Sequence, residues 1–136
     1  MLSTTNDHAY RVALVWHDAG LKVVAVADAR HNPRGSLVEE ARAKGIRILT
    51  SSAVIEARGS KHVSAARVAA IDLAAHQVTS PGEWLDCDLV ATSGGYSPVV
   101  HLASHLGGKP VWRDDILGFV PGEAPQKRVC VGGING

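Results

Sequence analysis

Three groups of residues have types and spacings that could carry binding chemistry. Asp28 ends the apolar run "LKVVAVAD". An acid about 20 residues past a phosphate-binding turn is where the ribose 2′-OH of a dinucleotide is held, although a strand-end acid facing water reads the same way. Thr92, Ser93, Gly94 and Gly95 close a second apolar run in "DLVATSGG". Glycines there let the backbone approach a ligand, or simply make a turn. Gly132, Gly133 and Asn135 repeat that logic in "VCVGGING".

Other candidates are weaker. His101 and His105 stand i, i+4 on a predicted helix, a spacing that can share a metal. Residues 102–104 are Leu-Ala-Ser, so the glutamate of an H-E-x-x-H is missing, and no third ligand is near. Ser93 lies in "ATSGG", which does not fit the G-x-S-x-G nucleophile turn. Cys87 sits among apolar residues between Asp86 and Asp88, surroundings that do not favour a reactive thiolate. No catalytic residue and no metal site are therefore expected.

The dinucleotide reading has a gap at its start. A phosphate turn G-x-G-x-x-G belongs between the first strand and first helix, so that backbone N–H groups can reach the pyrophosphate. The stretch there is "STTNDHAYRVA", with no glycine between Met1 and Ala19. Asp7 would sit at a helix N-terminus, the position a phosphate would otherwise occupy. The expectation is a self-capped helix without a nucleotide. The alternative is a competent dinucleotide turn in which Asn6 and Asp7 replace glycines.

The elements that would position these residues follow from pattern. A helix is predicted from His8 to Ala19, capped by Asn6 or Asp7 and closed by Gly20, with Val12, Trp16 and Ala19 on its core face beside Ala9 and Ala13. "LKVVAVAD" is apolar on both faces, as a central strand of a parallel sheet should be. A second helix opens at Ser36, where Ser36-x-x-Glu39 matches a capping box, and ends at Lys44–Gly45 before the strand "IRILT". This order needs one more strand before residue 4, and only "MLS" is there to make it.

After Thr50 the runs "AVIEARG", "HVSAARVAAID" and "HQVTS" predict an antiparallel meander, with Pro81-Gly82 forming a type II turn. A buried strand is expected over 88–92, a short helix in "SPVVHLASHLGG", loop and short strand over 109–126, and a final strand before the last glycines. Arg42, Lys44 and Arg47 read as solvated charges, and Trp112 as packing or subunit contact. The fold class is α/β: a Rossmann-like three-layer domain with a parallel sheet plus an antiparallel β-meander, expected to be truncated at both ends. Residues 1–91 form an inserted nucleotide-domain-like segment and 92–136 a return segment.

Bulk properties narrow the function classes. The net charge is +1 with scattered basic residues, so no nucleic-acid groove or anionic membrane surface is expected. Two cysteines make neither a zinc spacing nor a disulfide framework. With no signal peptide and no apolar run of about 18 residues, a cytoplasmic setting is expected.

The order helix, strand ending in an acid, helix, strand, meander, then "DLVATSGGYSP" resembles the pyridine-nucleotide domain of flavin-dependent disulfide-reductase-like proteins. More specifically, "NDHAYRVA", "VADARHNP", "DCDLVATSGGYSPVVHLASHLGGKPVW" and "GFVPGE" resemble the middle of the α subunits of heterotetrameric sarcosine oxidases. Related α subunits of opine and amino-acid dehydrogenases share these elements. The resemblance implies a multi-subunit flavoenzyme that oxidatively demethylates a secondary amine, sarcosine giving glycine. Other subunits would carry FAD and handle the amine, FMN would lie between subunits, and tetrahydrofolate would assist demethylation. The α subunit would hold NAD, at whose pocket edge Thr92 to Gly95 would lie. This segment would be structural and non-catalytic, or alternatively an NAD-binding domain or subunit-interaction module.

Overall fold

The computed structural model describes residues 1–74, 76–105, 107–116, 118–125 and 127–135. Leu106 of the predicted short helix and Gly136 of the closing turn lie outside them. The chain separates into two compact units, 1–95 and 96–136.

The first unit is built on a parallel sheet of four short strands: β1 (Leu2–Thr4), β2 (Val26–Asp28), β3 (Ile48–Leu49) and, after a meander described below, β8 (Ala91–Ser93). Their order is β3-β2-β1-β8. The residues "LST" thus supply the central strand, short as that stretch is. Three residues suffice because both neighbours pair with them and both faces are covered. Leu2 and Val26 enter one core cluster, while Met1, Ala25 and Ala27 enter another on the opposite face. This period-2 split is what the doubly apolar run "VVAVA" encodes.

The first face carries helices α1 (His8–Asp18) and α2 (Ser36–Ala43), through Ala9, Tyr10, Ala13, Leu14, Val38 and Ala41. The buried face of α1 is turned from the one predicted. Val12 is 39% exposed and Ala19 is exposed, while Tyr10 is fully buried and Trp16 is half-buried. The capping box of α2 does not form. Ser36 is already helical, Gly35 with φ +132° takes the cap position, and Glu39 instead pairs with Arg42 at 2.6 Å. The expected solvated cations are likewise paired: Lys44 with Asp18 at 2.6 Å, and Arg47 with Glu83.

The opposite face carries the antiparallel strands β4 (Ser52–Gly59), β5 (Val63–Asp72), β6 (Gln77–Val78) and β7 (Glu83–Asp86). β5 pairs with the other three, and its Ala66 and Val68 pack with Cys87 against Ala25 and Ala27. The result is the expected three-layer arrangement of helices, parallel sheet and meander. The β4–β5 register breaks twice, between Val54 and Glu56 and between Arg58 and Gly59. The turn into β7 holds Gly82 at φ +77°, as position i+2 of a type II turn requires. A Cβ there would lie 2.6 Å from the Val68 carbonyl oxygen. Gly82→Ala is expected to cost about 1–2 kcal/mol from the left-handed backbone alone, read as a lower urea midpoint by tryptophan fluorescence.

Residues 88–90 are not the start of a buried strand. Cys87 N–H donates to the Ser64 carbonyl at the end of the meander pairing, and the chain then crosses to the parallel sheet with Asp88 and Leu89 exposed. Only at Ala91, whose N–H reaches the Met1 carbonyl, does β8 begin.

The second unit contains a short helix α3 (His101–His105) and a hairpin of β9 (Pro110–Arg113) and β10 (Gly118–Pro121), on which Trp112 and Phe119 meet edge to face at 5.1 Å. Trp112 is therefore a packing residue that remains 47% exposed. The strand expected at 128–131 is absent. Val129 and Val131 are 88% and 76% exposed, and no neighbouring strand among the described residues offers that segment a ladder. The Arg128 guanidinium donates to the carbonyls of Ala103 and Gly122.

Candidate functional site

Thr4, Asp28 and Ser93 lie side by side, because the sheet register pairs Thr4 with both of the others. They end adjacent strands where the chain order reverses about β1, the position at which open α/β sheets bind ligands. Two clusters of side chains occupy this edge.

The first closes the gap between β1 and β8. Asn6 Nδ2 donates to the Ser93 carbonyl at 3.1 Å, and Ser93 Oγ donates to Asn6 Oδ1 at 3.2 Å. Thr5 N–H reaches the same Ser93 carbonyl at 3.2 Å, and Thr4 Oγ1 lies 3.1 Å from it. Asn6 Oδ1 also accepts the His8 N–H at 3.0 Å, so Asn6 rather than Asp7 satisfies the start of α1. A helix N–H that a phosphate would use is already bonded.

The second cluster is ionic. Both oxygens of the fully buried Asp28 are taken: Oδ1 by the Arg30 N–H at 2.9 Å and Arg30 Nε at 3.0 Å, Oδ2 by Tyr10 OH and an Arg30 terminal nitrogen, each at 2.8 Å. The same guanidinium lies 2.8 Å from Asp7 Oδ1 as an ion pair. Burial by itself would raise the Asp28 pKa, but hydrogen bonds from Arg30 and Tyr10 outweigh it and hold the carboxyl below the ordinary Asp value. Burial first, then the bond to Asp28, pushes the Tyr10 phenol above its ordinary range. The bond to Asp28 likewise raises Arg30. Near neutral pH each group keeps one protonation state, so the cluster is built to hold structure and not to exchange protons.

The structure therefore brings Asp28 and Ser93 together and buries Asp28, where a water-facing acid was the plainer expectation. A ribose hydroxyl at Asp28 would have to displace Tyr10 or Arg30. Thr92 is exposed on β8. Gly94 and Gly95 are open, with nothing within 4 Å of a Cβ built on either, and Gly95 has φ +100°. Gly132, Gly133 and Asn135 belong to the second unit, in a 3₁₀ turn where Asn135 Nδ2 donates to the Cys130 carbonyl at 2.7 Å. Sequence reasoning missed Thr4, Tyr10 and Arg30. Arg30, two residues beyond a strand-end acid, was the available signal. His101 and His105 gain no third ligand: no group of three or more potential metal-binding side chains occurs among the described residues.

No family model matches the chain. The sarcosine oxidase α subunits of Corynebacterium sp. strains P-1 and U-96 are 32% and 36% identical to it, over 100% and 99% of this chain. That of Rhizobium meliloti strain 1021 is 34% identical over 95%. Along its whole length, the chain is a relative of one segment of sarcosine oxidase α subunits. It spans only 12–14% of the length of these relatives. Among solved structures, a bacillithiol disulfide reductase from Staphylococcus aureus matches with TM-score 0.60 at 14% identity, over 88% of this chain and 35% of that one. A thioredoxin reductase from T. acidophilum matches with TM-score 0.58 at 15% identity, over 83% and 36%. The putidaredoxin reductase–putidaredoxin complex gives 0.59 at 19%, over 87% and 31%. These likenesses establish the Rossmann-like fold. The matched stretch spans the positions of the Asn6 loop, Asp28 and the Ser93 turn.

Proposed function

We propose that this segment works as a structural, non-catalytic part of a sarcosine oxidase-type α subunit. The parent enzyme, in this reading, oxidatively demethylates sarcosine to glycine. Its α subunit retains NAD, while FAD, FMN and tetrahydrofolate serve it elsewhere, with the other subunits of the heterotetramer as partners and the cytoplasm as its location. No helix among the described residues is long and apolar enough to cross a membrane.

One observation carries the structural reading. The positions that would take pyrophosphate and ribose are filled by this chain's own groups: Asn6 on Ser93 and His8, and Asp7 and Asp28 on Arg30. The residues of this turn do not fit a dinucleotide phosphate. A carboxylate stands at the helix start, and phosphate there would meet Asp7 before it met a free N–H. The exposed glycines 94 and 95 support a more limited role, as backbone at the rim of a dinucleotide held by the rest of the α subunit.

The test is an NMR titration of the chain with NAD to millimolar concentration. No saturable amide shift is expected in residues 4–9 or at Asp28. Saturable shifts at both places would favour the second reading, an NAD-binding turn in which Asn6 and Asp7 stand in for glycines. For the rim role, Gly94→Val in the full α subunit is expected to reduce the NAD that co-purifies. Unchanged retention would remove Ser93–Gly95 from the cofactor site.

A further inference from the structure

β8 is a weak element in a consequential place. It has three residues, forms the edge of the parallel sheet, and leads directly into Gly94 and Gly95 at the end of the first unit. A three-residue edge strand frays readily, since few backbone bonds hold it and solvent reaches one side. Its last residue is nonetheless held by more than the ladder. Thr5 N–H and Asn6 Nδ2 both donate to the Ser93 carbonyl, the Thr4 hydroxyl is shared between that carbonyl and the Asn6 carbonyl, and the Ser93 hydroxyl is bonded back to Asn6 Oδ1. One residue later there is room: a Cβ built on either glycine would meet nothing within 4 Å, and Gly95 takes a backbone conformation that L side chains avoid.

We propose that Asn6 is a latch that sets where the chain is allowed to turn. By gripping both the carbonyl and the hydroxyl of Ser93, it ends the rigid part of the first unit at residue 93 and confines rotation to Gly94–Gly95. Movement of the chain beyond that point is then not passed back into β8, β1 or the Asp28 cluster. The same side chain holds the α1 N-terminus through the His8 N–H, a task that falls to the Oδ1 end alone. The Nδ2 end serves the latch, and the Oδ1 end serves both latch and helix.

That division makes the idea testable on the full 136-residue chain by hydrogen exchange read by mass spectrometry, comparing Asn6→Ala and Asn6→Asp with the parent. Asn6→Asp keeps an acceptor for His8 N–H and removes the donor to Ser93. In Asn6→Asp the amides of residues 91–93 are expected to exchange about tenfold faster, the effect of losing one hydrogen bond of ordinary worth. Those of α1 and β2 should stay within about twofold of the parent on the same scale. Asn6→Ala, which also loses the Ser93 hydroxyl contact, should speed exchange at 91–93 at least as much and additionally at the first turn of α1. A brief digestion with a non-specific protease should cut the parent only at 94–96 and the variants also at 91–93. The latch is overturned if residues 91–93 stay protected in Asn6→Asp. It is equally overturned if α1, β2 and β8 all loosen in proportion, since Asn6 would then be a general stabiliser with no directional role.

Discussion

Replacing Asp28 with asparagine is expected to lower the unfolding free energy of the first unit by about 2–4 kcal/mol at pH 7, the range for breaking a buried, hydrogen-bonded charge pair from one side. The carboxylate is fully buried and is the meeting point of α1, β2 and the loop that follows β2. An amide of the same shape must turn one N–H toward donors, so either the Tyr10 hydroxyl or the Arg30 guanidinium loses its acceptor. Arg30 is about a third exposed and retains Asp7, which keeps the cost below that of a wholly enclosed ion pair. The pH dependence has a defined sign. The Asp28 carboxyl is held below its ordinary value in the folded chain, so its contribution is complete above about pH 4, the unfolded value, and fades as pH falls through the lower folded value. Urea unfolding followed by tryptophan fluorescence should show the gap between parent and variant shrinking as the solution is acidified below pH 4. A gap that persisted unchanged to pH 2 would mean that Asp28 stabilises through shape and not charge.

Tyr10→Ala is expected to be the more damaging change, at about 3–5 kcal/mol, as for other buried aromatic side chains cut back to a methyl. Tyr10 is fully buried and has the largest side chain among the most deeply buried residues. Its ring fills the space between α1 and the sheet, and its hydroxyl gives Asp28 one of its four bonds. Tyr10→Phe keeps the ring and removes only the hydroxyl, for which about 1–1.5 kcal/mol is expected. Combining Tyr10→Phe with Asp28→Asn in a double-mutant cycle should give less than the sum of the two, because they share one hydrogen bond. Strict additivity, measured by the same urea titration, would show the contact to be energetically idle.

Much of the architecture was readable because local patterns settle it. The doubly apolar "VVAVA" and the Pro81-Gly82 turn each encode their structure within a few residues, and the three-layer α/β fold follows from the order of the elements. What escaped were features decided by distant partners. "LST" becomes a central strand only because residues 26–28 and 91–93 come to lie on either side of it. Tyr10 reads as one more apolar helix position until the sheet places Asp28 opposite its hydroxyl, which also rotates the buried face of α1 away from Val12. The Ser36–Glu39 motif was intact in sequence, but Gly35 took the cap, and Glu39 found Arg42. "RVCV" has strand composition and, among the described residues, no strand beside it. At the ligand edge, the absence of glycine in "STTNDHAYRVA" was visible; that Asn6 would reach 87 residues along the chain to Ser93 was not.

The two breaks in the β4–β5 register limit what the outer edge of the meander can offer a second strand. β4 is the free edge of the meander and, at eight residues, is long enough to seed stacking by a second molecule. A copy laid along it would find only Ser52 to Val54 before the first break changes the spacing and twist of the backbone donors. Past that point an in-register parallel copy would set Glu56 against Glu56 and Arg58 against Arg58. The edge is thus self-limiting, since the stretch of regular backbone it offers a second molecule is only Ser52 to Val54.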